Sequence, residues 1–348
     1  MVYKQVPAKD LEQIIRVLKC YDFKTKEYSI TQNTLANVNK IFLVKTHSNK
    51  YILRESNPTT TTSHLYFEAD ILDYLTKNKF NLTPHLFENT DGDLITTFEN
   101  KYYSLQEFLP GEVKESVSNL IRFNDAKLVS FFQTSANFTK TVQDFKGEIP
   151  HNNKTLYFYV TNGITILHSL TNKVRTGPVK ELLEENQTFL EELINNLFAE
   201  MKMSKYDEQP KQVVHFDIHP GNMNYIGDRV SGLFDFDWAR WDCRLTDLAC
   251  TIGQSCYSYR GKNRALYNAQ KIKLALETYR KTYGKSEYDL SAENQLLRVA
   301  FKGYMLYQLF WIIEWFLANT NKPEDGLKFI SFSINVLKLN DFDNLIGN

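Results

Sequence analysis

The chain has 348 residues, 43% of them hydrophobic and 24% charged, with 41 Lys plus Arg against 41 Asp plus Glu. That length suits two lobes rather than one minimal core, and the composition is that of a soluble globular protein. Zero net charge shows no basic excess, which argues against a general nucleic-acid binder. The four cysteines, Cys20, Cys243, Cys250 and Cys256, form no CxxC pair and fit free thiols in a reducing cytosol. The first residues, MVYKQVPAKDLEQ, lack the apolar run of a signal peptide, so a cytoplasmic chain is expected. The most apolar stretch, residues 303–316, is shorter than a membrane span and carries Gln308 and Glu314; a buried helix is expected there, and no membrane partner.

In chain order, residues 10–20 place Leu11, Ile14, Ile15 and Leu18 at helical spacing. Two strand-like runs follow, residues 41–44 and 51–53, split by the polar turn 46–49, which predicts a hairpin. Arg54 ends the second run. Leu65, Ala69, Leu72 and Leu75 then define a helix that carries Glu68. Asp91-Gly92-Asp93 marks a turn between short strands. Residues 103–109 read as a further strand, stopped by Pro110-Gly111, and a lobe boundary falls there: 1–110 and 111–348. Residues 112–210 look helical, with helices over 125–138, 157–170 and 178–203, Pro178 suiting a first turn. Further helices are expected over 265–282 and 292–317, and a last one marked by Leu327, Ile330, Ile334 and Leu337.

The chemistry lies in HFDIHPGN at 215–222 and LFDFDWARWDCRLTDLA at 233–249. The first puts Asp217 and Asn222 on one tight loop, helped by the Pro220-Gly221 turn. The second puts Asp235 at the end of a short apolar run, with Asp247 opening another. Phosphoryl transfer from ATP uses this set: one Asp takes the proton of the attacking hydroxyl, and an Asn and a second Asp hold magnesium against the phosphates. An isolated His-x-Asp is weak, and His215 alone reads equally well as a core histidine. The whole constellation is far more specific.

These segments resemble the aminoglycoside phosphotransferase/choline kinase family, and the opening pattern of a short helix, NKIFLV and YILR is nearest its type II homoserine kinase-like branch. The resemblance implies an α+β, two-lobed, protein-kinase-like fold, with a small antiparallel-sheet N-lobe and a larger helical C-lobe. It implies an ATP- and magnesium-dependent kinase acting on a small-molecule hydroxyl. Asp217 is then the catalytic base, Asn222 and Asp235 the metal ligands, and His215 and Asp247 the supports of the loop. Arg54 and Glu68 correspond to the pair that anchors the nucleotide phosphates, although the two residues alone fit a surface ion pair equally well. Asn39 matches the family's Asn in the phosphate-covering segment, where no glycine is present and Asn37 can stand in. Gln106, Glu107 and Phe108 match the segment that lines adenine, or else form a plain edge strand. Phe216 stands where the family usually has Gly.

Acceptor binding is expected in the C-lobe, where Trp238, Trp241, Tyr257, Tyr259, Tyr304, Tyr307, Trp311 and Trp315 lie near the acidic Glu314. Aromatic faces with a carboxylate suit a cationic amine, but an aromatic stripe at helical spacing is more often core. Trp238, Trp311 and Glu314 are the candidate substrate residues. Asp237 fits a metal-assisting role, a helix cap or a salt bridge. His168 follows a leucine, as in the family's first helix past the hinge, but lies late for it and reads as an ordinary helix histidine. The alternative to an enzyme is a kinase-like scaffold without turnover, favoured by Phe216 and the glycine-free loop and opposed by the intact Asp217, Asn222 and Asp235. No activation segment separates Asp235 from Asp247, which disfavours a protein kinase.

Overall fold

The structure, a computed structural model, describes residues 3–22, 27–33, 38–113, 123–258, 266–284, 290–319 and 323–338. In chain order these form β1 (Tyr3–Gln5), α1 (Ala8–Leu18), β2 (Tyr28–Asn33), β3 (Lys40–Thr46), β4 (Lys50–Glu55), α2 (Thr62–Lys77), β5 (Leu86–Phe87), β6 (Thr96–Phe98) and β7 (Lys101–Glu107). Then come α3 (Asp125–Thr141), α4 (Leu156–Thr161), α5 (Gly163–Lys173), α6 (Pro178–Glu185), α7 (Gln187–Met203), β8 (Lys211–Val214), β9 (Met223–Ile226), β10 (Arg229–Leu233) and β11 (Arg240–Cys243). The chain closes with α8 (Leu245–Ser255), β12 (Tyr257–Ser258), β13 (Leu266–Tyr267), α9 (Ala269–Tyr283), α10 (Leu290–Ala318) and α11 (Pro323–Leu337). Two compact units result. One comprises Met1–Lys114, Asp144–His151 and Gly221–Asp237; the other comprises Glu115–Gln143, Asn152–Pro220 and Trp238–Asn348.

The first unit is built on an antiparallel sheet in the order β1-β2-β3-β4-β7-β5, with β6 also on β7. Alternation along β3 and β4 sends Phe42, Val44 and Leu53 to one face, where they meet Tyr103, Leu105 and the apolar stripe Ile14, Val17 and Leu18 of α1. Each such buried side chain contributes about 1.5–3 kcal/mol. The β3–β4 turn closes where Thr46 N–H donates to the Asn49 carbonyl and Asn49 N–H to Thr46 Oγ1, each at 2.9 Å. Asn89 builds the turn before β6 by accepting from the N–H groups of Asp91 and Asp93. Gly111 has φ +97°, and a Cβ there would fall 2.4 Å from Ser231 Oγ and 2.7 Å from the Tyr225 carbonyl oxygen. Only glycine lets this segment approach the β9–β10 hairpin so closely.

The second unit is mostly helical. Its β8–β11 ribbon pairs Val214 with Arg240 and leads into α8, which is buried along nearly all its length. α10 packs against α4, α5, α7, α8 and α11, while α3 packs against α9. The segment Glu293–Ala318 of α10 is long and apolar enough to cross a membrane, yet 67% of its apolar window is buried inside the fold. It serves as a core helix.

Several elements differ from the sequence expectation. The helix expected over 157–170 breaks at Asn162 into α4 and α5, and Gly163 lets α5 approach Ile194 of α7 to a distance a Cβ would violate. The helix expected over 178–203 breaks at Asn186, whose side chain donates to the Leu182 carbonyl. The helix expected from 265 begins at Ala269, capped by Asn268, because Leu266 and Tyr267 pair with β12 instead. Residues 28–33, YSITQN, were not anticipated as a strand; they form β2 by pairing with β3, with Tyr28 and Ile30 packed against the core. Residues 34–37, including Asn37, and residue Tyr259 lie outside the described residues, as does the side chain of Tyr257.

Candidate active site

Within the first unit the centre is Arg54, on β4 and only 6% exposed. Its Nη1 donates to Glu68 Oε1 on α2, and its Nη2 donates to Asp237 Oδ1. This is a buried ion triad and not the surface pair that the two residues alone allowed. Burial acts to lower the Arg54 pKa, but Glu68 and Asp237 outweigh it, and the net shift is upward. Asp237 also accepts from the Asn39 amide at 2.6 Å through Oδ2, and its carbonyl meets His64 Nε2 at 2.7 Å. Asn39 in turn accepts from Asn57 N–H at 3.0 Å. Asp237 thus acts as a salt bridge partner, tying β4, α2 and the segment before β3 together. Neither this hub nor His64 was visible from spacing.

Gln106 donates to Ser104 Oγ at 3.0 Å and lines a narrow crevice with Arg54, Ser56, Glu68 and Ser104. Its neighbour in the strand, Glu107, donates its N–H to the His85 carbonyl. Phe108 is half-buried, with Lys50 Nζ 5.2 Å from its ring centre. Beyond it, the Leu109 carbonyl accepts from Asn224 and the Pro110 carbonyl from Ser231.

Asn222 ends a tight turn, Pro220–Asn222, and its carbonyl accepts from Phe234 N–H at 3.1 Å. That bond brings Asn222 beside the residue preceding Asp235. Asp235 itself is exposed and has φ +70°, a strained conformation for a non-glycine residue. Among the described residues no group of three or more His, Cys, Asp and Glu could hold an ion by itself. Asn222 and Asp235 offer one amide and one carboxylate oxygen, a donor set suited to a hard cation that completes its shell with phosphate oxygens and water.

In the second unit, His215 and Asp247 are fully buried. The N–H groups of His215 and Phe216 donate to Asp247 Oδ2 and Oδ1 at 2.9 and 2.8 Å. Burial pushes the Asp247 carboxyl up to about 7, against the opposing effect of those two bonds. Cys250 Sγ lies 3.7 and 3.6 Å from the carbonyl oxygens of Phe216 and Ile218, on either side of Asp217. Phe216 and Ile218 are buried, whereas the Asp217 side chain is 24% exposed and lies 3.5 Å from His219 Nε2. The Asp217 carboxylate is therefore carried between two buried neighbours. Phe216 adopts φ +65°, the region that glycine enters freely. Its ring is covered by the Arg240 guanidinium at 3.5 Å, which also lies near Tyr307 and Tyr159. Of the aromatic residues that were candidates for a cationic amine, Arg240 covers Tyr307.

Trp238 is half-buried and meets Tyr307 edge-on at 6.4 Å. Tyr307, Trp311 and Glu314 follow at one and two helical turns along α10, with Trp311 38% exposed and Glu314 exposed. His168 pairs with Glu191 at 2.7 Å on the surface. Cys243, Cys250 and Cys256 are buried free thiols.

A model of the phosphotransferase enzyme family matches residues 30–284, more than half of the chain. The homoserine kinase of Parvibaculum lavamentivorans is 23% identical over 333 residues, covering 95% of this chain and 94% of that one. The homoserine kinase of Zymomonas mobilis is 22% identical over 322 residues, covering 91% and 89%. Among solved structures, a microcompartment-associated aminopropanol kinase superposes with a TM-score of 0.69 at 15% identity, covering 94% of this chain and 95% of that one. An amicoumacin kinase in complex with AMP-PNP and Ca2+ superposes with a TM-score of 0.66 at 14% identity, covering 97% and 96%. The fold is therefore α+β and protein-kinase-like.

Proposed function

The chain belongs to the phosphotransferase enzyme family and is an ATP-dependent small-molecule kinase, and we propose that its acceptor is the side-chain hydroxyl of a small amino acid, L-homoserine above all. The similarity to homoserine kinases over nearly the whole of both chains carries this reading.

In this reaction the acceptor oxygen bonds to the γ-phosphorus as the bond to the β–γ bridging oxygen breaks, and ADP leaves. Asp217 accepts the hydroxyl proton, and its partial exposure between two buried neighbours suits that task. Arg54, steadied by Glu68 and Asp237, meets the nucleotide phosphates. Asn222 and Asp235 would hold magnesium, which would neutralise phosphate charge. Asn39, Gln106 and Phe108 border the nucleotide, and Trp238, Trp311 and Glu314 the acceptor. Catalysis is then mainly positioning and charge neutralisation.

The test is ADP release with magnesium and ATP over L-homoserine, aminopropanol, choline, ethanolamine, hexosamines and aminoglycosides. Turnover with L-homoserine well above the others supports the reading; preference for choline or an aminosugar overturns the acceptor assignment.

A further inference from the structure

We propose that Arg240 is a positioning residue, which holds Phe216 in its left-handed conformation and thereby aims Asp217. The inference rests on Asp217 being the base. Phe216 has φ +65° although it carries a bulky side chain, a state that persists only where the surroundings over-determine it. Those surroundings are specific. The ring is 1% exposed and meets Tyr304 and Tyr307 edge-on at 5.8 and 4.7 Å. Its open face is closed by the Arg240 guanidinium at 3.5 Å.

Arg240 is itself fixed. Its Nε donates to the Trp238 carbonyl at 3.1 Å and its Nη1 to the Lys154 carbonyl at 2.9 Å. Its backbone pairs with Val214, the last residue of the strand that leads into the loop. A planar cation stacked on a ring in a dry site cannot be replaced by a lysine, whose charge is a point on a flexible stem. Return of Phe216 to negative φ would swing the following peptide, and Asp217 with it. Asp247 fixes the N–H groups of residues 215 and 216, and Cys250 Sγ meets the Phe216 carbonyl at 3.7 Å. The Arg240 contact adds the hold on the Phe216 side chain itself. In this chain the aromatic side chain at 216 and the arginine at 240 form one device, and a glycine at 216 would make the arginine dispensable for aiming the base.

A double-mutant cycle tests this, with kcat and KM measured for ATP and L-homoserine, and hydrogen exchange followed over residues 214–219. Arg240→Gln is expected to lower kcat about tenfold to a hundredfold with both KM values little changed, and to speed exchange in the loop. Phe216→Gly alone should lower kcat about threefold through added backbone freedom. In the double variant the Arg240→Gln defect should largely vanish, so the two changes are strongly non-additive. Additive losses, or an Arg240→Gln effect confined to KM, overturn the proposal. Should Arg240→Gln alone fail to fold, a folded and active double variant supports the proposal and an unfolded one overturns it. Asp217→Asn run alongside separates the two readings: turnover in that variant removes the base assignment. The exchange measurements need no acceptor and judge the stack independently.

Discussion

Replacing Asp247 with asparagine probes how the loop under Asp217 is held. Each Asp247 oxygen accepts one backbone N–H, from His215 and from Phe216. Asparagine offers one carbonyl oxygen and one NH2, so one buried N–H loses its acceptor, at about 1–3 kcal/mol. Charge acts in the other direction. Burial raises the folded carboxyl from 3.8 to about 7, so near neutrality the folded chain keeps a proton that the unfolded chain has released. Stability from that proton is fully present below the unfolded value and is lost as pH rises through the folded one. The slope is about 1.4 kcal/mol per pH unit, or about 4 kcal/mol across the whole shift. Asparagine does not titrate. The advantage of the native chain over Asp247→Asn should therefore shrink as pH climbs from about 4 to about 7 and level off above that. Asp242, pushed by burial up to about 6, slopes the same way in both chains and largely cancels in the difference. Urea unfolding of both chains across this range measures it. An advantage that grows with pH would refute the reasoning, because it would place the folded value below 3.8 and make the two N–H bonds stronger than the burial penalty.

Other perturbations address the first unit. Arg54→Ala leaves buried Glu68 and part-buried Asp237 without their cation, and breaking a buried pair costs about 3–5 kcal/mol. Thermal unfolding should show this loss, and KM for ATP should rise more than KM for the acceptor; an unchanged nucleotide dependence would remove Arg54 from phosphate binding. Asp235→Asn should raise the magnesium concentration needed for half-maximal rate about tenfold or more. An unaltered magnesium titration would take Asp235 out of the metal site.

The tight loop at 215–222 was legible because its turn residues lie within eight positions of one another. The β3–β4 hairpin and α2 were legible because apolar spacing alone sets which face is buried. A salt bridge was one of the roles open to Asp237, but its partners were not legible, since Arg54 and Asn39 lie 183 and 198 residues away and only folding joins them. The burial that turns Arg54–Glu68 from an indifferent surface pair into a triad is a property of the packed sheet. Phe216 left a trace, an aromatic where a glycine was expected, but its meaning needed the backbone angle and the covering arginine. The helix breaks at Asn162 and Asn186 are packing outcomes: the apolar periodicity runs on through both.

Asp217 is proposed as the base of the phosphotransfer. Its most direct test compares Asp217→Asn with the native chain in ADP release from magnesium and ATP with L-homoserine, while thermal unfolding with and without ATP follows nucleotide binding. The variant should lose kcat by about a hundredfold or more, with the stabilisation by ATP preserved. Retained turnover in the variant would contradict it.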